Sequence, residues 1–215
     1  SFSLCGSSYD TYIGVGTTCC SSDLGTNDDA CGLQSELTFA GLAAGTYYVA
    51  VEGYSSCGSY ELVVSRPGDD CSDPFVIASC PFNVSGSTSG YSDDYDESCP
   101  YNAPGSEDVV YSYTPTSTEV VDISICNDGG ATGGSASYDS KLYVYENTCG
   151  TFQSGTDIAC SDDGAGCTGF SSLITGVTFT AGNTYYIVVD GYGGADGSYT
   201  LDMQCSTPGC VSDFT

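Results

Sequence analysis

Carboxylates and thiols are the side chains of this sequence with chemistry to offer. Of its 215 residues, 28 are Asp or Glu and 14 are Cys, while Lys and Arg together number 2 and His and Trp are absent. Without His, no Ser-His-Asp or Cys-His nucleophile can be assembled and no His-ligated zinc site can be built. Carboxylates gathered on turn-rich loops suit Ca²⁺, which takes about six to eight oxygen ligands. The candidates are Asp93, Asp94 and Asp96 in one acidic run, the pair Asp162 and Asp163, and two matched pairs within a repeat, Asp10 with Asp139 and Glu52 with Asp190. A solvated acidic surface that keeps the chain soluble is the other reading of these residues. Paired carboxylates also serve glycosidases, but the absence of Trp platforms argues against a sugar-cleaving cleft. The sequence reads as non-enzymatic.

The net charge of −26 repels phosphate backbones, so nucleic acid is excluded as a partner. It also disfavours anionic membrane surfaces. No apolar run approaches the ~20 residues that span a bilayer, and no membrane insertion is expected. The sequence opens at Ser1 without a charged n-region, so an export signal is expected to be already removed or to lie outside it.

The cysteines show no C-x-x-C spacing and sit among Ser, Gly, Asp and Thr. That pattern favours disulfides, and hence an extracellular or cell-surface location. Their pairing is constrained by an internal repeat. Residues 46–54 (TYYVAVEGY) and 184–192 (TYYIVVDGY) are identical at six of nine positions, and each precedes a G-S-Y-x-L run. Upstream, Cys5 with Tyr9-Asp10 matches Cys126 with Tyr138-Asp139, the run from Cys20 to Asp23 matches Cys160 to Asp163, and Cys31 matches Cys167. If Cys19 and Cys20 correspond to Cys149 and Cys160, a Cys149–Cys160 bridge would demand a strained vicinal bridge in the other copy. The consistent scheme is Cys5–Cys19 with Cys20–Cys31, and Cys126–Cys149 with Cys160–Cys167. Cys71, Cys80, Cys99 and Cys205 then complete the full module, and Cys57 and Cys210 are left to bridge two chains.

The elements that must carry these groups are strands. Glu119 to Cys126 alternates, with Val121, Ile123 and Ile125 on one face. Residues 47–51 and 185–189 are apolar on both faces, the mark of central strands. Gly, Ser, Asp and Asn clusters separate the runs. The expected fold is all-β: antiparallel, disulfide-rich β-sandwich modules of jelly-roll type, one complete and one partial. Residues 1–66 form the second half of a repeat, 67–206 a complete module, and 207–215 a tail that begins another. That tail, from Pro208 to Phe214, resembles Pro67 to Phe75 and could act as a donor strand. Asn83-Val84-Ser85 is the single N-x-S/T sequon, so Asn83 is a candidate glycosylation site.

The run from Asp70-Cys71 through Val109-Val110-Tyr111-Ser112-Tyr113, Tyr138-Asp139 and Thr184–Tyr192 to Gly197-Ser198-Tyr199-Thr200-Leu201 resembles the bacterial pre-peptidase C-terminal domains and their Cys-rich relatives. The resemblance covers most of 67–206, with the last strands matching 35–65. It implies a secreted sandwich module with an accessory role, calcium binding or adhesion to protein or polysaccharide, and no catalysis of its own. The cysteine density departs from that pattern. Two functions follow as expectations. One is a structural subunit of an extracellular filament or surface assembly, whose partners are copies of itself joined head to tail. The other is a calcium-dependent adhesion or carbohydrate-binding module whose partners are glycans.

Overall fold

The computed structural model describes residues 1–39, 42, 45–98, 101–127, 133–150 and 157–208. Among these residues there is no helix. The chain divides into two compact units, Ser1–Arg66 and Pro67–Thr215.

The second unit is an antiparallel sandwich of two five-stranded sheets. Its strands are β7 (Phe75–Ile77), β8 (Phe82–Ser87), β9 (Val109–Tyr113), β10 (Glu119–Ser124), β11 (Ser135–Ala136), β12 (Ser140–Glu146), β13 (Ala159–Ser161), β14 (Leu173–Phe179), β15 (Tyr185–Gly191) and β16 (Ser198–Ser206). One sheet runs β13-β12-β15-β9-β7, with β7 parallel to β9; the other runs β11-β16-β10-β14, with β8 also on β16. Alternation places Tyr111, Leu142, Val144, Ile187 and Val189 of the first sheet against Val121, Ile123, Phe179, Leu201 and Met203 of the second, all buried in one core. Phe179 and Tyr185 stack with ring centroids 3.8 Å apart. The Tyr111 and Tyr199 hydroxyls pair at 2.8 Å, which satisfies both polar tips inside the core. The outer face of the first sheet is also buried, through Val110, Tyr143, Tyr145 and Val188 beneath Tyr95. The apolar-on-both-faces reading of 185–189 therefore describes a central strand.

The first unit has β1 (Phe2–Ser3), β2 (Thr11–Gly16), β3 (Gly25–Asn27), β4 (Glu36–Leu37), β5 (Tyr48–Gly53) and β6 (Val63–Val64), in sheets β3-β2-β5 and β4-β1-β6. Its ladders repeat those of the second unit. Thr11↔Gly53 and Ile13↔Asn27 have counterparts in Ser140↔Gly191 and Leu142↔Ser161. Here the central-strand expectation for 47–51 is corrected: β5 has β2 as its strand partner among the described residues, whereas β15 has both β12 and β9. The lost neighbour has a visible cost in burial. Val49 and Val51 are half-buried, while their counterparts Ile187 and Val189 are wholly buried.

The disulfides also depart from the repeat-based scheme. The bridges are Cys5–Cys31, Cys71–Cys149, Cys80–Cys205 and Cys126–Cys167, with Cα separations of 5.8, 6.1, 6.0 and 5.2 Å. Cys160 is disulfide-bonded as well. Cys19, Cys20 and Cys57 are exposed free thiols, so the expected Cys5–Cys19, Cys20–Cys31, Cys126–Cys149 and Cys160–Cys167 pairs do not form. The reason is strand geometry. Cys5 follows β1 and Cys31 precedes its partner β4, and Cys126 and Cys167 stand in the same relation to β10 and β14. Each pair is brought within bridging distance by a ladder, which Cys19 and Cys20 do not join. Cys99, Cys210 and Phe214 lie outside the described residues.

Lys141 is wholly buried in β12, and Arg66 precedes Pro67. Trypsin should therefore leave the folded chain intact. The reduced, denatured chain should give at most one efficient cut, after Lys141, which mass spectrometry would show as two fragments.

Candidate functional site: two equivalent carboxylate clusters

Asp139 stands immediately before β12, and Asp162-Asp163 follow the adjacent strand β13. The β12–β13 ladder brings these ends together, so that one carboxylate oxygen from each of Asp139, Asp162 and Asp163 lies within 4.8 Å of the others. A serine clamp fixes the backbone. The buried Ser172 hydroxyl lies 2.5 Å from the Ser140 carbonyl oxygen and 2.7 Å from that of Asp162. The Ser172 N–H donates to Ser140 Oγ at 3.1 Å. Asp139 is held from the other side, where its carbonyl accepts the Tyr192 N–H at 2.9 Å. Asp162 is 2 % exposed. Its carboxyl is pushed up to about 6 by burial first, then by the charges of Asp139 and Asp163. The three acids line a cleft of about 270 Å³ with Tyr101, Phe170 and Tyr192.

The first unit builds the same arrangement. Asp10 precedes β2, Asp28-Asp29 follow β3, and oxygens of the three lie within 4.8 Å of one another. Ser35 takes the place of Ser172: its hydroxyl contacts the Thr11 carbonyl and lies 2.6 Å from that of Asp28, and its N–H donates to Thr11 Oγ1 at 2.9 Å. The Asp10 carbonyl accepts the Tyr54 N–H at 3.0 Å, as Asp139 does from Tyr192. Partial burial, then the charges of Asp29 and Asp10, push the Asp28 carboxyl up.

Of the candidate acids, Asp10, Asp139, Asp162 and Asp163 thus fall in the two clusters. Asp28 and Asp29 were missed. The signal was the Asp-Asp dipeptide: the ladders align Asn27-Asp28-Asp29 with Ser161-Asp162-Asp163, not the run from Cys20 to Asp23. Glu52 is exposed on β5, and Asp93 and Asp94 are exposed on the loop before β9.

Asp96 and Asp190 belong to a third group, buried beside β12 with Glu97 and Asp108, two residues that sequence reasoning did not single out. The Lys141 ammonium donates to the Glu97 carbonyl, and the Tyr145 hydroxyl donates to Glu97 Oε1 at 2.8 Å. The Tyr143 hydroxyl donates to the Asp190 carboxylate. Asp108 Oδ2 accepts the N–H groups of Asp94 and Tyr95, both at 2.9 Å, and Asp96 Oδ2 accepts that of Gly105 at 3.2 Å. The other oxygen of each, Oδ1, is buried without a donor among the described residues. Asn83 is exposed on β8, its amide donating to Asp202 Oδ1 at 2.8 Å.

No protein-family model matches the sequence, and no curated protein matches it. Among solved structures, the chain is similar to the pre-peptidase C-terminal domain of a collagenase from Bacillus anthracis. Identity is 19 %, with 66 % of this chain and 100 % of that chain covered and a TM-score of 0.40. The similarity falls on the class of domain that the sequence of 67–206 resembles.

Proposed function

We propose that the chain is a non-catalytic, extracellular structural module that assembles head to tail with copies of itself by extending its sheets. The observation that carries this reading is the pair of open edges on the first unit. In the second unit β15 is flanked by β12 and β9, and β16 by β10 and β8. Their counterparts β5 and β6 each have one strand partner among the described residues, β2 and β1. These edges carry exposed apolar side chains, Tyr48 on β5 and Val63 and Val64 on β6, with Val64 62 % exposed. Unpaired apolar edges invite another strand.

The second unit ends its own sheets in β7 and β8, each with one strand partner among the described residues, and Val76 of β7 is 75 % exposed. The β7 and β8 edges of one copy meeting β5 and β6 of the next would continue both sheets. A head-to-tail contact of this kind repeats into an open filament unless its rotation closes a ring. The tail 207–215 is the other donor in the same chain. The segment it resembles, 67–75, leads into β7 and lies beside β9, so a tail seated in that way needs a β9-like strand beneath it. Bridged cysteines in both units fit an oxidising compartment, and an exposed, free Cys57 is open to a partner thiol.

Sedimentation and electron microscopy test the reading. The native chain is expected to form polymers, and Tyr48→Lys/Val64→Lys to give folded monomers, because an edge lysine blocks strand addition. Loss of polymers in Val76→Lys assigns the donor to β7, and loss on deleting 207–215 assigns it to the tail. A native chain that stays monomeric at high concentration overturns the proposal.

A second reading, cation-dependent glycan adhesion, draws on the aromatic rim of the Asp139–Asp162–Asp163 cleft. Tyr101, Phe170 and Tyr192 are all exposed there, Phe170 at 65 %, and sugar rings stack on such faces. Glycan binding that disappears on chelation would favour it.

A further inference from the structure

The one lysine of the sequence lies where a lysine is hardest to keep. We propose that Lys141 and Asp190 condense into an intramolecular amide, a covalent rung between β12 and β15. The inference is independent of the assembly reading, since both groups lie inside the second unit.

Three observations carry it. The first is register. Lys141 and Asp190 are directly opposed across the β12–β15 ladder. Opposed residues of an antiparallel pair share a face, with Cβ atoms about 4.5–5.5 Å apart, well within the reach of a lysine stem. The second is burial. Both residues are wholly buried. Enclosing an ammonium and a carboxylate costs far more than enclosing a neutral amide that keeps its hydrogen bonds, and lysine is rarely enclosed at all. The third is how the carboxyl is held. The Gly191 N–H donates to Asp190 Oδ1 at 2.6 Å, and the Tyr143 hydroxyl donates to Oδ2. The Lys141 ammonium lies over the ring of that same tyrosine, 5.4 Å from its centroid. Donors on both oxygens draw charge from the carboxyl carbon and stabilise the oxyanion that forms when an amine adds to it.

A neighbouring acid completes the chemistry. Asp96 is buried, and its Oδ1 receives no hydrogen bond from the described residues. Its charge acts on Asp190, and that of Lys141 acts on both. Asp96 takes a proton from the ammonium, the freed Nζ lone pair attacks Asp190 Cγ, and the C–N bond forms. The Cγ–O bond then breaks and the oxygen leaves as water. An ammonium and a carboxylate become an amide and water: two of the nitrogen's three protons depart with one Asp190 oxygen, relayed by Asp96, and no electrons are gained or lost. Groups fixed in this way react as if at effective concentrations of about 10⁵ M or more. Before the bond forms, Asp190 is a free buried carboxyl; once linked it no longer titrates, and the pH response rests on Asp108.

Mass spectrometry of the full chain tests the proposal. The reduced, denatured chain should be lighter than its sequence by one water, and a digest should contain a branched peptide joining Lys141 to Asp190. Trypsin does not cut after an acylated lysine, so the single efficient cut open to the denatured chain should be absent. Asp190→Ala should restore both the full mass and the cut, a covalent readout that does not require the variant to fold. Asp96→Asn should slow linkage by about 100-fold or more, seen as chain of full mass that converts with time; linkage at the native rate would overturn the relay. A native chain of full mass overturns the proposal. So does a missing water confined to the Asp190-Gly191 peptide, the mark of a cyclic imide, or a branch from Lys141 to another carboxyl.

Discussion

Replacing Cys80 and Cys205 with alanine should lower the stability of the chain by about 5 kcal/mol, a large part of what a domain has. The bridge closes a loop of 125 residues in sequence separation. In the chain-entropy account, a link of that span restricts the unfolded state more than a short one does. It also joins the segment before β8 to β16, and β16 is the strand partner of β8. Both cysteines pack against the main core, so the double variant also loses a little packing. The comparison is Cys19→Ser/Cys20→Ser. Those thiols are exposed and free, and the change should stay within about 0.5 kcal/mol. Denaturant midpoints under oxidising conditions would show both. A Cys80/Cys205 variant as stable as the native chain would refute the loop-closure argument.

With chelator present, the chain should lose stability as pH rises from 4 to 8, opposite to the usual carboxylate trend. Asp108 is wholly buried, and its carboxyl is pushed up to about 8, by burial far more than by the charges of Asp94 and Asp93. Asp190 is pushed well up too, first by burial and then by the charge of Asp108, with Lys141 opposing. A raised folded value means that the folded state holds a proton which the unfolded chain has released. The stabilisation is then complete near pH 4 and lost as pH climbs through 8. The size is on the order of a few kcal/mol. Half-buried Glu146 works the other way, since bonds from Tyr185 and Asn183 lower it, and its contribution fades only as pH falls below the ordinary carboxylate range. Asp108→Asn is the decisive variant. An amide oxygen can accept the same two N–H groups from Asp94 and Tyr95, and no charge is buried. The variant should melt several degrees above the native chain at pH 8 and close to it at pH 4. An unchanged pH profile would show that Asp108 stays ionised when folded.

The strands were legible because the repeat and the alternation are local. Val121 and Ile123 announce an inward face, and residues 185–189 announce burial on both sides. The same pattern at 47–51 misled, because apolar composition reports what a strand could bury and not whether its neighbour is present. The disulfides failed on register. Matching Cys20 to Cys160 placed a thiol where the ladder places Thr26, and it hid the alignment of Asp28-Asp29 with Asp162-Asp163. Asp108 and Glu97 lie in 67–121, which has no copy in the first unit to mark them. Their burial depends on a loop folding over the outer face of a sheet, and no periodicity records that.

The Cys80–Cys205 bridge has a mechanical consequence. A pull applied at the two ends of the second unit would travel through that covalent link and bypass the strands between. About 125 residues, roughly 430 Å of extended chain at ~3.45 Å per residue, are thereby withheld from stretching. Under tension the unit would pay out only the short segments outside the bridge and then behave as a nearly inextensible link, its sheets still assembled. Reduction would convert the same unit into a long, soft tether.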